Sequence, residues 1–212
     1  MRKLLFTLVF SLISFAISYA QDTYYGPKAG GNISNFFYSG DDPSFNDLSK
    51  MKFSSHIGGF VEFLFDDYLA LQPELLFSIK GARFIDEDND FKSSRVMKYL
   101  SVPVVGKYYI TKHLDIELGP EFSYLLAAKD VVLDSDLQTN YGDEAASINI
   151  IDNLHKFDLG IVGGVGYFLD SGLYFSARYN IGILNTYVTT LEFNDMMRNG
   201  TIQFSVGYSV NY

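Results

Sequence analysis

A chain of 212 residues suffices for one ordinary domain or one compact barrel with generous loops, and 16 Tyr and 19 Phe without any Trp are a heavy aromatic load for a soluble domain. The net charge of −9 speaks against binding to nucleic-acid backbones. The lack of cysteine excludes disulfides, thiolate metal sites and the lipid-acceptor cysteine of a bacterial lipoprotein.

Taken from the start, residues 1–20 read as a Sec-type export signal. Arg2-Lys3 supplies positive charge, Leu4 to Ile17 is apolar apart from hydroxyls, and Ser18-Tyr19-Ala20 places small residues at the processing positions. The run falls short of the roughly 20 residues of a spanning helix. Cleavage before Gln21 leaves one mature domain, 21–212, and removal of Arg2 and Lys3 takes the net charge from −9 to −11. No later stretch approaches about 18 apolar residues, so any membrane span has to be built from strands.

Eight segments then show period-two alternation. Their apolar sets begin with Pro27, Ala29, Gly31, Ile33, then Ile57, Gly59, Val61, Phe63, then Leu69 to Ile79 at every second residue. Next come Leu100, Val102, Val104, Gly106, Tyr108, and Ile116 to Leu126 at every second residue. The last three are Phe157 to Tyr167, Leu173 to Ile181 and Ile202 to Tyr212, again alternately. None of these sets holds an Asp, Glu, Lys or Arg. A soluble lipocalin-like barrel would share that parity with its apolar side inward. The other parity decides, because it carries Gly30, Gly58, Gly119, Gly160, Gly164, Gly166, Gly182 and Gly207. Glycine costs strand entropy and suits a cramped lumen rather than a watery surface.

The expectation is therefore an all-β, eight-stranded antiparallel up-and-down transmembrane barrel, polar inward and apolar toward lipid. Short connections near Asp66-Asp67, Thr111-Lys112-His113 and Asp170-Ser171-Gly172 alternate with long ones at Phe37 to Met51, Asp86 to Ser94, Lys129 to His155 and Asn185 to Asn199. That asymmetry assigns the short turns to the periplasm and the long loops to the outside. Aromatic pairs at predicted strand ends, Tyr24-Tyr25, Tyr108-Tyr109, Tyr167-Phe168 and Tyr174-Phe175, fit girdles at the headgroup level.

Several stretches resemble the small outer-membrane β-barrel proteins often labelled porin-family or PorT-like. Gly26-Pro27-Lys28-Ala29-Gly30-Gly31-Asn32-Ile33-Ser34-Asn35-Phe36 looks like the family's first strand, and Leu71-Gln72-Pro73-Glu74-Leu75-Leu76 with Lys80-Gly81-Ala82 its third. Tyr99-Leu100-Ser101-Val102-Pro103 through Lys107-Tyr108-Tyr109 resembles the fourth, Leu118-Gly119-Pro120 the fifth and Ala177-Arg178-Tyr179-Asn180-Ile181-Gly182 the seventh. The closing Phe204, Val206, Tyr208, Val210 and Tyr212 look like the family's terminal assembly signal. The resemblance implies residence in the Gram-negative outer membrane, contact with its lipids and lipopolysaccharide, and delivery by the barrel-assembly machinery. PorT-like relatives also imply a secretion-associated role.

Charges absent from the lipid parity reappear on the other one, where Lys28, Glu62, Glu74, Lys107, Glu117, Glu121 and Arg178 are expected to form a lumen ion-pair network in the periplasmic half. Glu117 and Glu121 also invite a general acid and base reading, disfavoured by a filled lumen without a cleft. Asp86, Asp88 and Asp90 begin a calcium-loop pattern, but Phe91 replaces the turn glycine and Met97 the bidentate glutamate, so no metal site is expected. His56, His113 and His155 make no zinc or serine-hydrolase motif, and His155 near Asp152 is the nearest approach to a catalytic pair. No nucleotide motif or cofactor signature is present. The reading is a non-enzymatic barrel with a structural or interaction role in envelope integrity, surface contact or a secretion-associated complex. The alternatives are a narrow solute channel and, behind it, a loop-based barrel enzyme.

Overall fold

The structure, a computed structural model, describes residues 22–39, 49–86, 91–132, 147–186 and 196–210. Eight long strands form the wall: β1 Asp22–Ser39, β2 Lys52–Leu64, β3 Leu69–Lys80, β4 Phe91–Tyr109, β5 Leu114–Val132, β6 Phe157–Phe168, β7 Leu173–Gly182 and β8 Met196–Tyr208. Each runs antiparallel to its neighbours in the chain, and β1 pairs with β8, which closes the sheet and removes its free edges. Three short segments, Ser49–Lys50, Arg83–Asp86 and Ser147–Asn149, extend the wall at the long-loop end.

The stagger of the barrel follows from its register. Asn32 faces Gln203, which faces Arg178, then Gly164, Glu117, Lys107, Ala70, Leu64 and finally Asp22. One circuit thus returns to β1 ten residues from its start, from Asn32 to Asp22. For eight strands at ordinary spacings this stagger implies a tilt of about 40° and a backbone radius of about 8 Å. Such a tube has room for its own side chains and little else.

Side-chain alternation follows the parity set by the pleat. On β7, Tyr174, Ser176, Arg178 and Asn180 are buried, while Phe175, Tyr179 and Ile181 are exposed on the outside. Leu118, at 64% exposure, shows how fully the outer apolar surface is presented. The short turns close as their residues dictate. Asp66 Oδ1 accepts from the backbone N–H groups of Tyr68 and Leu69, both at 2.7 Å, and Thr111 Oγ1 accepts from those of His113 and Leu114. At the third turn Gly172 takes φ 84°, a left-handed value that glycine adopts at least cost.

Two features differ from the sequence expectation. The strands run well past their apolar sets, so that β1, β4, β5 and β8 take up parts of the stretches read as long loops. Above the bilayer a strand can keep its ladder without an apolar outer face, and alternation ceases to mark it. The second feature is that the inward parity is not polar throughout. Toward the long-loop end it holds an apolar cluster of Phe36, Ala82, Met97, Tyr99, Leu125, Ala128 and Leu154, with Phe84, Ile150 and Ile151 packed against it. A β-bulge shifts the β4–β5 register at Lys98/Tyr99, so Leu125 and Ala128, which differ in parity, are both buried.

Candidate functional site: the ion-paired lumen

The inward positions near the periplasmic end converge on one network. Lys28 on β1 donates to both oxygens of Glu74 on β3, at 3.0 and 3.3 Å. Arg178 on β7 reaches across the tube to Glu74 at 2.8 Å and grips Glu117 on β5 through both Nε and Nη2. This makes the two-pronged contact that a planar guanidinium favours. Lys107 on β4 lies 2.9 Å from Glu62, 3.4 Å from Asp115 and 3.9 Å from Glu117, and donates to Gln72 Oε1 at 3.0 Å. Tyr174 and Tyr109 donate their hydroxyls to Glu117 and Glu62, respectively.

Aromatic faces complete the cations' surroundings. The Lys107 ammonium stands 4.3 Å from the Tyr174 ring centroid and 4.7 Å from that of Phe168. Beneath the ions Ala70, Tyr109, Phe168 and Tyr174 form a second apolar cluster toward the short turns. The ionic layer is therefore held between two oily plugs. Buried charges are tolerated because each has an opposite charge at close range and, Asp115 excepted, hydrogen bonds as well, and removal of one member weakens the compensation of the others.

Glycines make the space. A Cβ on Gly164 would lie 2.7 Å from the Arg178 side chain and 2.5 Å from the Ala177 carbonyl. On Gly166 it would meet the Asp115 carboxylate at 2.5 Å and the Tyr174 ring at 2.8 Å. Above the ions, His56 bridges Asn32 at 2.9 Å and Ser205 at 3.0 Å across the lumen, and a Cβ on Gly30 would strike its ring.

Of the seven charged residues singled out in the sequence, Lys28, Glu62, Glu74, Lys107, Glu117 and Arg178 meet in this one cluster. Glu121 stands apart, paired with Lys80 at 2.6 Å and bonded to Ser123 at 3.1 Å. Sequence reasoning missed Lys80 and Asp115, both inward by parity, along with Gln72 and the two tyrosines. The aromatic pairs also divide: Tyr25, Tyr108, Tyr167 and Phe175 lie exposed on the outside, whereas Tyr109, Phe168 and Tyr174 are buried in the lumen. Pleat parity forces that split, since neighbours in a strand point to opposite faces.

The remaining candidates lie elsewhere. Phe204, Val206, Tyr208 and Val210 form an exposed outward row, and Tyr212 lies outside the described residues. Asp86 ends a short strand segment, while Asp88 and Asp90 lie outside the described residues. No group of three or more metal-binding side chains occurs among the described residues. His155 and Asp152 are exposed beyond the top of β6, and His113 sits at a turn, 3.8 Å from Asp170.

Comparison with known proteins agrees with this architecture. A family model described as outer membrane protein beta-barrel domain matches residues 19–188. Neisserial surface protein A (NspA) is similar in structure, with a TM-score of 0.56 at 12% identity, covering 91% of this chain and 100% of that one. The outer membrane protein OprG from Pseudomonas aeruginosa gives 0.49 at 12% identity, with 92% and 98% covered. Ail, the attachment invasion locus protein of Yersinia pestis, gives 0.48 at 14% identity, with 89% and 99% covered. No curated protein matches the chain in sequence.

Proposed function

The chain belongs to the outer membrane protein β-barrel domain family and resides in the outer membrane, and from that premise we propose that it is a closed, non-enzymatic barrel acting through its outer surface and loops. One observation carries this reading. The side chains of Lys28, Glu62, Glu74, Lys107, Asp115, Glu117 and Arg178 are 0–1% exposed, so water cannot reach the ion-paired layer from either mouth. A conducting pore needs a continuous water path at this level, and an enzyme needs a cleft in which charged groups meet a substrate. Here each charge is spent on a neighbour.

The reading includes removal of residues 1–20 as an export signal, recognition of the Phe204 to Tyr212 row by the assembly machinery, and partners that engage the loop side, in envelope integrity, adhesion or a secretion-associated complex. Planar-bilayer recording of the refolded barrel is the test. A silent membrane is expected for the wild type, with current steps appearing when Arg178→Ala removes the central clamp. Steady single-channel steps from the wild type would establish the narrow solute channel instead.

A further inference from the structure

The tube is recessed at its short-turn end. On β1 Tyr24 shares the inward parity of Lys28, on β2 Leu64 that of Glu62, and on β4 Tyr109 that of Lys107. Below the lower apolar plug these three side chains, with Asp67 and Tyr68 of the first turn and Lys112 of the second, line a cavity of about 490 Å³. It ends blind, because Leu64 packs against the cluster of Ala70, Tyr109, Phe168 and Tyr174, and the Tyr109 hydroxyl is spent on Glu62. The rim is held in shape in advance. Asp66 and Thr111 cap the two turns, the Tyr109 N–H donates to the Tyr68 carbonyl at 2.8 Å, and the Tyr68 ring stacks on Tyr108 with centroids 6.4 Å apart.

Charge at this end is negative. Asp22, Asp66, Asp67 and Asp170 are exposed, and the nearby base, Lys112, is turned to Asp170 at 3.4 Å. Asp67, on the cavity's rim, is in no ion pair or hydrogen bond among the described residues. Tyrosine rings beside an unneutralised carboxylate suit a cation. One layer deeper the molecule uses that combination itself, where Lys107 pairs with Glu62 among the rings of Tyr109, Phe168 and Tyr174. At the mouth the acid and the rings face out of the barrel instead.

We propose that this mouth receives an arginine side chain from a periplasmic protein, its guanidinium beside Asp67 and the rings of Tyr24 and Tyr109. Residues flanking that arginine rest on Tyr68 and Ile110, which are 57% and 51% exposed. A planar, weakly hydrated guanidinium can stack on a ring and hydrogen-bond a carboxylate at once, and such anchors dominate protein interfaces. A cell-wall amine would meet the same charge but leave the apolar shoulders unused. The inference rests on the short turns facing the periplasm and is independent of whether the lumen conducts.

The test is fluorescence anisotropy of a labelled pentapeptide, Gly-Leu-Arg-Leu-Gly, titrated with the detergent-solubilised barrel. Replacement of its arginine by citrulline, of like shape without charge, is expected to weaken binding at least about tenfold. Asp67→Asn and Tyr68→Ala in the barrel should each weaken it comparably, Asp67→Glu should retain it, and Lys98→Ala at the far end should bind as the wild type does. Heat-modifiable gel mobility verifies folding, and if Tyr68→Ala does not fold, exposed Asp67→Asn decides alone. No saturable binding of the arginine peptide, equal affinity for the citrulline peptide, or indifference to Asp67→Asn would each overturn the assignment. Cosedimentation with purified peptidoglycan that depends on Asp67 would overturn it too, by giving the mouth to a cell-wall amine. Orientation is tested apart from binding: Asp67→Cys in intact cells is expected to resist a membrane-impermeant maleimide, and labelling would place the mouth outside.

Discussion

Lys107 and Met97 lie on the same strand with the same inward parity, yet one is ringed by carboxylates and the other sits in oil. The difference between the two levels is the medium outside the wall. Where lipid surrounds the barrel, apolar side chains gain most by facing outward, and the inward parity is left to polar groups that must neutralise one another. Where water surrounds it, Lys98 and Lys129 take the outside, and Phe36, Met97, Tyr99 and Leu125 pack within as in a soluble barrel. One continuous sheet thus changes its pattern along its length without interruption of the ladder, aided by the bulge in β5.

The contrast breaks most severely at the lower level. Glu117→Ala takes from buried Arg178 its two-pronged partner, leaving it only Glu74, and a loss of about 3–5 kcal/mol is expected, measured by urea unfolding in lipid vesicles. Leu118→Arg puts a charge on the lipid face and should cost about 2–4 kcal/mol in the same assay. Replacement of exposed Lys98 by leucine, above the band, should by comparison be nearly silent. Gly164→Val forces a branched side chain against Arg178 and the Ala177 carbonyl, with an expected cost of about 1–3 kcal/mol. The smallest effect belongs to the upper rim: Asp130→Asn weakens a partly exposed ion pair with Arg95 and should cost no more than about 1 kcal/mol, shrinking further at high salt.

Much of this was legible in the sequence because period two, short turns and the absence of charge from one parity are local signals. The same parity that exposes Leu118 places Glu117 inside, so six of the clustered ions could be identified before any pairing was known. Asp115 carries no such signal, because it lies two residues past the Thr111-Lys112-His113 turn, where an acid reads as solvated. Position near a strand end suggests a girdle role for Tyr109 and Tyr174, whereas their parity turns them inward to hydrogen-bond the carboxylates. The upper plug was hidden for a deeper reason. Alternation reports only that two faces differ, and the sign of that difference changes once the outer solvent changes.

The absence of native cysteine allows the most direct test, because one nitroxide label can be placed at a time. In vesicles, labels at Leu118→Cys and Phe204→Cys are expected to relax through collisions with dissolved oxygen and to be insensitive to a water-soluble nickel chelate, with the reverse at Lys98→Cys. Chelate access at Leu118 and Phe204 equal to that at Lys98, or shielding of both from either reagent, would show that the apolar parity does not face lipid.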